Sequence, residues 1–259
     1  MNTTKIEWAD AVWNPVTGCT KVSEGCRHCY AEGIAKRFWG ERKFTDVQCH
    51  EDRLDAPLHW RKPRRVFVNS MSDLFHPAVP FEFIDMVFAT MAWMQEHTFM
   101  ILTKRPAQMV KYFAEVGRAH LAPLPNVWLG VTVENQQAAD ERIPYLLRTP
   151  AAVRFVSVEP MLGEVNLDPY MQHPPFTEGY KMTWGYSEWR GLDWVICGGE
   201  TGPGARLMDL DWARSLRDQC QAAEVPFFFK RVGSAYQWRK GHDRLLDGVE
   251  WNEFPEVAK

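Results

Sequence analysis

Three cysteines, Cys19, Cys26 and Cys29, share one short stretch, Gly18-Cys19-Thr20-Lys21-Val22-Ser23-Glu24-Gly25-Cys26-Arg27-His28-Cys29-Tyr30. Thiolates bind soft metals. Three is an odd number for a disulfide framework and one short of a closed tetrahedral zinc site. It is the number a four-iron cluster needs when one iron stays open to a small molecule. The two-residue gap between Cys26 and Cys29 lets both sulfurs reach one centre. The longer gap from Cys19 needs a loop, and Gly25 gives that loop freedom. A zinc site would need a fourth ligand, and His28, Cys49 and His50 are the candidates.

The elements that position these thiols are legible as short apolar runs ending in polar residues or glycine. They are Ala11–Trp13, Val66–Ser70, Phe99–Thr103, Val127–Val133, Arg154–Val158, Trp194–Gly198 and Pro226–Lys230. Between them lie helical patterns at Phe81–Glu96, Ala107–Val116, Ala138–Leu147 and Leu210–Ala223. Asp209 and Asp211 are candidate caps of the last. Strand, helix, strand predicts right-handed crossovers and a parallel sheet. The number of such units fits an α/β fold of the (βα)-barrel type, a complete or partial TIM-like barrel, in one domain over residues 1–259. Residues 168–192, rich in Pro, Gly, Tyr and Trp, form either a lid or an ordinary insertion. Residues 233–259 read as a C-terminal extension, with a β-hairpin turning at Asp247-Gly248.

In such a barrel the reactive groups gather where the strands end. Reading only those ends gives Ser70, Ser72 and Asp73, then Lys104 and Arg105, then Thr132 and Glu134, then Ser157 and Glu159. Gly198, Gly199 and Glu200 follow, and finally Lys230. Thr132/Glu134 and Ser157/Glu159 are each two apart, so each hydroxyl shares a face with its carboxylate. Any one of these residues could equally cap the next helix. Lys104, Arg105, Arg206 and Lys230 suit a substrate carrying phosphate or carboxylate. Cys197 is either a hydrogen-atom donor at the site or a small core residue. Arg61, Lys62, Arg64 and Arg65 precede a strand and belong to the opposite end, where they could still touch a polyanion.

Composition sets the outer limits. The chain has 259 residues, of which 46% are hydrophobic, and 12 are Trp, so a large core is within reach. Its formal charge of −3 argues against a global grip on a polyanion but leaves a local basic groove open. No apolar run is long enough to span a membrane, and the polar opening Met1–Trp8 is unlike a secretory signal. The expectation is a cytoplasmic protein without membrane contact, in which clustered cysteines are metal ligands rather than bridges.

Several motifs carry a resemblance. Trp13-Asn14-Pro15-Val16-Thr17-Gly18-Cys19, Val127–Asn135, Phe155–Pro160, Gly198–Arg206 and Phe227–Lys230 resemble the phage Gp37/Gp68-like family of three-cysteine proteins, nearly end to end. That family in turn looks like a divergent relative of the radical S-adenosylmethionine (SAM) enzymes. The resemblance implies a 4Fe–4S cluster on Cys19, Cys26 and Cys29, with SAM on its open iron. An external electron donor would reduce the cluster, and SAM would be cleaved to a 5′-deoxyadenosyl radical. It implies Ser70, Ser72 and Asp73 at the SAM amino group. Thr132 and Glu134, or Ser157 and Glu159, would meet its ribose and methionyl parts. Gly198, Gly199 and Glu200 would approach SAM or substrate, and Cys197 and Lys230 would be catalytic.

Two departures mark this chain. The first cysteine gap is six residues where Cys-x3-Cys-x2-Cys is usual, and His28 replaces an aromatic before the third cysteine. The Gly-Gly-Glu that usually follows the second strand is replaced by Ser70-Met71-Ser72-Asp73, and such a triplet stands at the sixth strand instead.

Three functions therefore compete. The first is a radical-SAM-type enzyme acting on a nucleotide, nucleic acid or small metabolite. The second is a non-catalytic iron–sulfur or zinc protein that binds a partner in a phage or defence complex. The third is a metal-dependent hydrolase using Asp73, Glu134 and Glu159, which lacks a histidine pair at ligand spacing and ranks last.

Overall fold

The computed structural model describes residues 4–115, 123–171, 191–235 and 243–256. Seven parallel strands form one sheet: β1 (Ala11–Trp13), β4 (Arg65–Val68), β5 (Thr98–Thr103), β6 (Val127–Thr132), β7 (Val153–Val158), β8 (Trp194–Gly198) and β9 (Phe227–Arg231). Each pairs in parallel with the next in that order. Both faces are covered, which is why β6 and β8 are apolar runs buried along their whole length.

Sequential order without a strand reversal curls the sheet into a half-barrel. Alternate side chains separate two cores. One set meets the helices: α2 (Phe81–Trp93), α3 (Pro106–Ala114), α4 (Gln136–Leu147) and α6 (Leu210–Ala222). The other set converges on the concave face: Phe67, Met100, Trp128, Phe155, Trp194 and Phe228. Trp194 is the hub, with ring centroids 5.8 Å from Trp128, 5.6 Å from Phe155 and 6.1 Å from Phe228. Gly130 makes room for the Phe155 ring, since any side chain there would overlap it.

The sheet is partial rather than closed: among the described residues β1 and β9 are its edges. The segment before β1 fills the gap. Trp8 packs 4.7 Å from Phe67 and 6.4 Å from Trp194, and Glu7 pairs with Arg231 at the end of β9. The opening residues thus join the two edges by packing and charge rather than by strand pairing.

Between β1 and β4 lie β2 (Val16–Thr17), the cysteine loop, α1 (Tyr30–Phe38) and β3 (Gln48–Cys49), which pairs antiparallel with β2. The sequence reading assigned no helix at α1. Its apolar residues, Tyr30, Ala31, Ile34, Ala35 and Phe38, do recur at helical spacing, but only Ala31 and Ala35 are buried. Four residues of the candidate lid form a short helix, α5 (Asp168–Met171), and 172–190 lie outside the described residues. At the C-terminal end β10 (Leu245–Leu246) pairs antiparallel with β11 (Val249–Glu250). Arg214 and Arg217 of α6 hold Asp247 of the turn between them. Among the described residues no helix is long and apolar enough to cross a membrane.

Candidate active site and its cysteine loop

The side chains that point inward above the aromatic floor are set by strand parity. Met100 points in, so Leu102 and Lys104 do too; Trp128 brings Thr132, Phe155 brings Ser157 and Glu159, and Phe228 brings Lys230. Together they line a cavity of about 230 Å³ at the C-terminal mouth of the half-barrel. Phe67, Leu102 and Trp8 contribute its apolar part. Cys19, Cys26 and Cys29 all line the same cavity, as do Ser70, Ser72, Asp73, Gly199 and Glu200.

The cysteine loop is held over this mouth at three points, each by a charged residue from a different strand end. At the first, Arg105 donates to Cys19 Sγ at 3.5 Å and to the Thr20 carbonyl at 2.7 Å. Asp73 fixes that guanidinium at 3.0 Å and also accepts from the Thr103 hydroxyl and the Lys104 amide. At the second, Glu134 accepts from the Ser23 hydroxyl at 2.7 Å and pairs with Lys104 at 2.5 Å and Arg142 at 3.0 Å. At the third, Glu200 accepts from His28 Nδ1 at 3.0 Å and from Arg206 at 2.5 Å. Arg206 then donates to the Glu24 carbonyl at 3.0 Å.

These grips set the electrostatics. Burial alone would raise the Glu134 carboxyl, but the charges of Lys104 and Arg142 and the bonds from Lys104 and Ser23 pull it below its ordinary value. Glu200 is likewise opposed by burial, yet Arg206 and His28 bring it down to about 2. Both are therefore anions at neutral pH. The thiols differ from one another. Burial and the Asp73 charge push Cys19 up to about 11, against the pull of Arg105. Cys26 is lowered, despite burial, by the Lys104 charge and by bonds from the Val22 and Ser23 backbone and the Ser23 side chain.

The assignments made on sequence divide accordingly. Asp73, Glu134 and Glu200, expected at SAM, and Arg105, Lys104 and Arg206, expected at substrate, are all engaged in holding the loop. Glu134 and Arg206 do not line the cavity at all. Ser72 donates to the Val16 carbonyl at 2.8 Å, and Ser70 exchanges a bond with Asn14 at 3.3 Å. Gly198 does not line the cavity; beside it Glu159 and Lys230 meet, Nζ to Oε1 at 2.5 Å. That is the one cavity-facing ion pair, among the described residues, that does not touch the loop.

Cys197 lies elsewhere. It is fully buried on the helix-facing side of β8, its sulfur 3.7 Å from that of Met161. Strand parity decides this: Trp194 and Ile196 point inward, so Cys197 points outward. Two residues carry roles that the sequence reading did not give them. Arg142 sits mid-helix in α4, eight residues from its partner Glu134, and no local pattern marks it. Asn69, at the end of β4, is the second. It takes a left-handed backbone with φ of 63°, and its Oδ1 accepts from the Val16 amide. Its Nδ2 is buried without a hydrogen-bond partner among the described residues, and the residue lines the cavity.

Whether this donor set suits a metal group can be tested on its own chemistry. Among the described residues no three His, Cys, Asp or Glu side chains are gathered closely enough to hold a metal ion as the chain stands. The three thiols share a cavity wall rather than a common centre. They are all free of disulfides, and Cys29, at the N-cap of α1, makes no capping bond with its side chain. Arg105 donates to Cys19 Sγ, and the Ser23 hydroxyl oxygen lies 3.9 Å from Cys26 Sγ. These three thiols, free of disulfides, on one supported loop and lining one cavity, are the residues that could hold an iron–sulfur cluster with an open position.

The chain belongs to the DUF5131 family, described as proteins of unknown function, whose model matches residues 3–255. No curated protein matches it. Among solved structures it is similar to a cysteine-to-serine mutant of spore photoproduct lyase, at 11% identity and a TM-score of 0.51. That likeness covers 90% of this chain and 79% of the other, and it is a likeness of fold.

Proposed function

We propose that this protein is a radical-SAM-type enzyme in which Cys19, Cys26 and Cys29 hold a 4Fe–4S cluster and SAM occupies the cavity beneath them. One observation carries the reading: three thiols line the mouth of a parallel half-barrel on a loop that three strand ends hold in place. The fold likeness to spore photoproduct lyase supports the half-barrel part of it. The resemblance of the sequence to the phage Gp37/Gp68-like family belongs to the same reading. When bound, the cluster and SAM would supply one-electron reduction and abstraction of a substrate hydrogen, with an external electron donor.

The chain's own residues have separate tasks in this reading. Arg105, Glu134 and Glu200 are positioning residues, because each acts on the loop rather than on a ligand. Asn69 Nδ2, Ser157, Thr132 and Glu159 are the polar groups left to orient SAM and substrate. Lys230 forms an ion pair with Glu159 at 2.5 Å and so fixes that carboxylate inside the cavity. Phe67, Leu102 and Trp8 exclude water below.

The test is electron paramagnetic resonance on anaerobically reconstituted, dithionite-reduced protein, with and without SAM. A reduced 4Fe–4S signal that shifts on adding SAM is expected. The competing reading is a cluster- or zinc-binding partner protein, which uses the same three thiols without SAM. A cluster signal indifferent to SAM, or zinc in place of iron, would establish that alternative.

A further inference from the structure

The cysteine loop runs directly into α1, whose apolar side is only partly covered. It buries Ala31 and Ala35 and ties the Tyr30 hydroxyl to the Ser70 carbonyl at 2.7 Å, but leaves much of its larger side chains in solvent. Tyr30 is 50% exposed, Ile34 42% and Phe38 69%. The four-residue spacing puts them along one side of the helix. A folding helix buries such residues, so this face has another use.

Cations lie beside the rings. The Arg37 guanidinium sits 5.2 Å from the centre of the Phe38 ring. In the turn that follows, Arg42 covers Trp39 at 4.2 Å, and Trp39 packs 5.8 Å from Phe44. Arg37 and Lys43 are both exposed and have no acidic partner among the described residues. Lys36 is paired with Glu32 at 3.0 Å and Arg42 with Asp46 at 3.4 Å, so the positive charge left free on this stretch is that of Arg37 and Lys43. Tyr30 and Phe44, at the two ends of this stretch, also line the cavity.

We propose that the outer face of α1 and the turn after it form a track for single-stranded nucleic acid that leads into the cavity. Exposed rings offer stacking to bases, and the interleaved cations meet phosphates. A duplex hides the faces of its bases, so a single strand is the better fit. A purely apolar protein partner would not account for the unpaired cation beside the exposed ring. The proposal deepens the reading above by naming the substrate class, and it rests on that reading only for what happens where the track ends.

The test is fluorescence anisotropy on the full chain with fluorescein-labelled oligo-dT of about 20 nucleotides, longer than one such site, across a salt series. Oligo-U and a duplex of equal length complete the set. Single strands are expected to bind, more weakly as salt rises, with oligo-U against oligo-dT distinguishing RNA from DNA. Arg37→Glu with Lys43→Glu is expected to weaken binding at least about tenfold and to lower the salt slope by about two. Phe38→Ala is expected to weaken it about tenfold. Arg61→Ala with Lys62→Ala, at the opposite end of the barrel, is expected to change nothing. All of these side chains are exposed, so the variants keep the fold, which a thermal melt checks. Absence of single-strand binding at about 50 mM salt overturns the proposal. So does unchanged binding by the double-glutamate variant, a preference for duplex, or capture of a protein by this face in place of the oligonucleotide. Repeating the titration with Cys26→Ala separates the two readings: strand binding kept there without any cluster leaves the track standing even if the SAM chemistry fails.

Discussion

Gly25 lies directly against the side chain of Glu134, so closely that a methyl carbon at position 25 would overlap the carboxylate arm. The arm cannot move aside cheaply, because Ser23, Lys104 and Arg142 all hold it. Strand β6 and the cysteine loop are thus in contact at a point with no spare volume. Gly25→Ala is expected to lift the loop off the barrel. Iron per protein after reconstitution should fall at least about twofold, while the melting temperature drops only a few degrees, about 2–4 °C for a chain of this size. Full iron loading in that variant would show that the contact is incidental.

The charged residues at the cavity should sort into two classes by iron content. Arg105→Met, Glu134→Gln and Arg206→Met each release a grip on the loop and are expected to lower reconstituted iron. Glu159→Gln and Lys230→Met break a pair that does not touch the loop and are expected to leave iron content unchanged while weakening SAM binding, read by calorimetry, about tenfold, or 1.4 kcal/mol. Equal iron loss in both classes would contradict this division.

The Glu200 tether carries a pH signature. Its carboxyl is held down to about 2 against an ordinary value of 4.5, so the folded state releases this proton more readily than the unfolded one. The stabilisation is complete above the unfolded value and disappears as pH falls from 4.5 toward 2. The melting-temperature gap between wild type and Glu200→Gln should therefore be constant at neutral pH and narrow across that acid window. A gap that stays level down to pH 2.5 would count against an ionised Glu200 as the anchor of Arg206 and His28.

Cys26 and Cys197 should respond in opposite ways. Cys26→Ala is expected to abolish the cluster signal at little cost in stability, since its side chain is only half-buried. Cys197→Ala is expected to keep the signal and cost about 1 kcal/mol by denaturant titration, because its sulfur fills space against Met161 and α6. Loss of cluster in Cys197→Ala would return that residue to the site.

Trp194 ties the concave core together. Its replacement by alanine should cost about 3–5 kcal/mol, the range for emptying a fully buried aromatic site. A cost below about 1 kcal/mol would mean that the aromatic floor is not what holds the strands in their curl.

Much of this was legible in the chain itself. Apolar runs punctuated by polar residues specify seven parallel strands, because a strand buried on both faces must be apolar throughout. Period-two alternation places Ser157 with Glu159, and Thr132 with Glu134, on one face. Three cysteines within eleven positions mark the reactive loop without any fold. α1 was legible as well, since Tyr30, Ala31, Ile34, Ala35 and Phe38 recur at helical spacing, although no helix was assigned there. The open barrel was not legible: closure depends on whether β1 and β9 meet, and the residues that fill their gap, Glu7 and Trp8, precede the first strand. Above all, sequence lists the charges at the rim but not their partners. Asp73, Glu134 and Glu200 look like ligand-binding groups when read singly. Only the tertiary structure brings Arg105 against Asp73 across 32 residues, and only it shows that Arg142 and Arg206 turn back onto Glu134 and Glu200 from eight and six residues along, since an ion pair depends on distance in space.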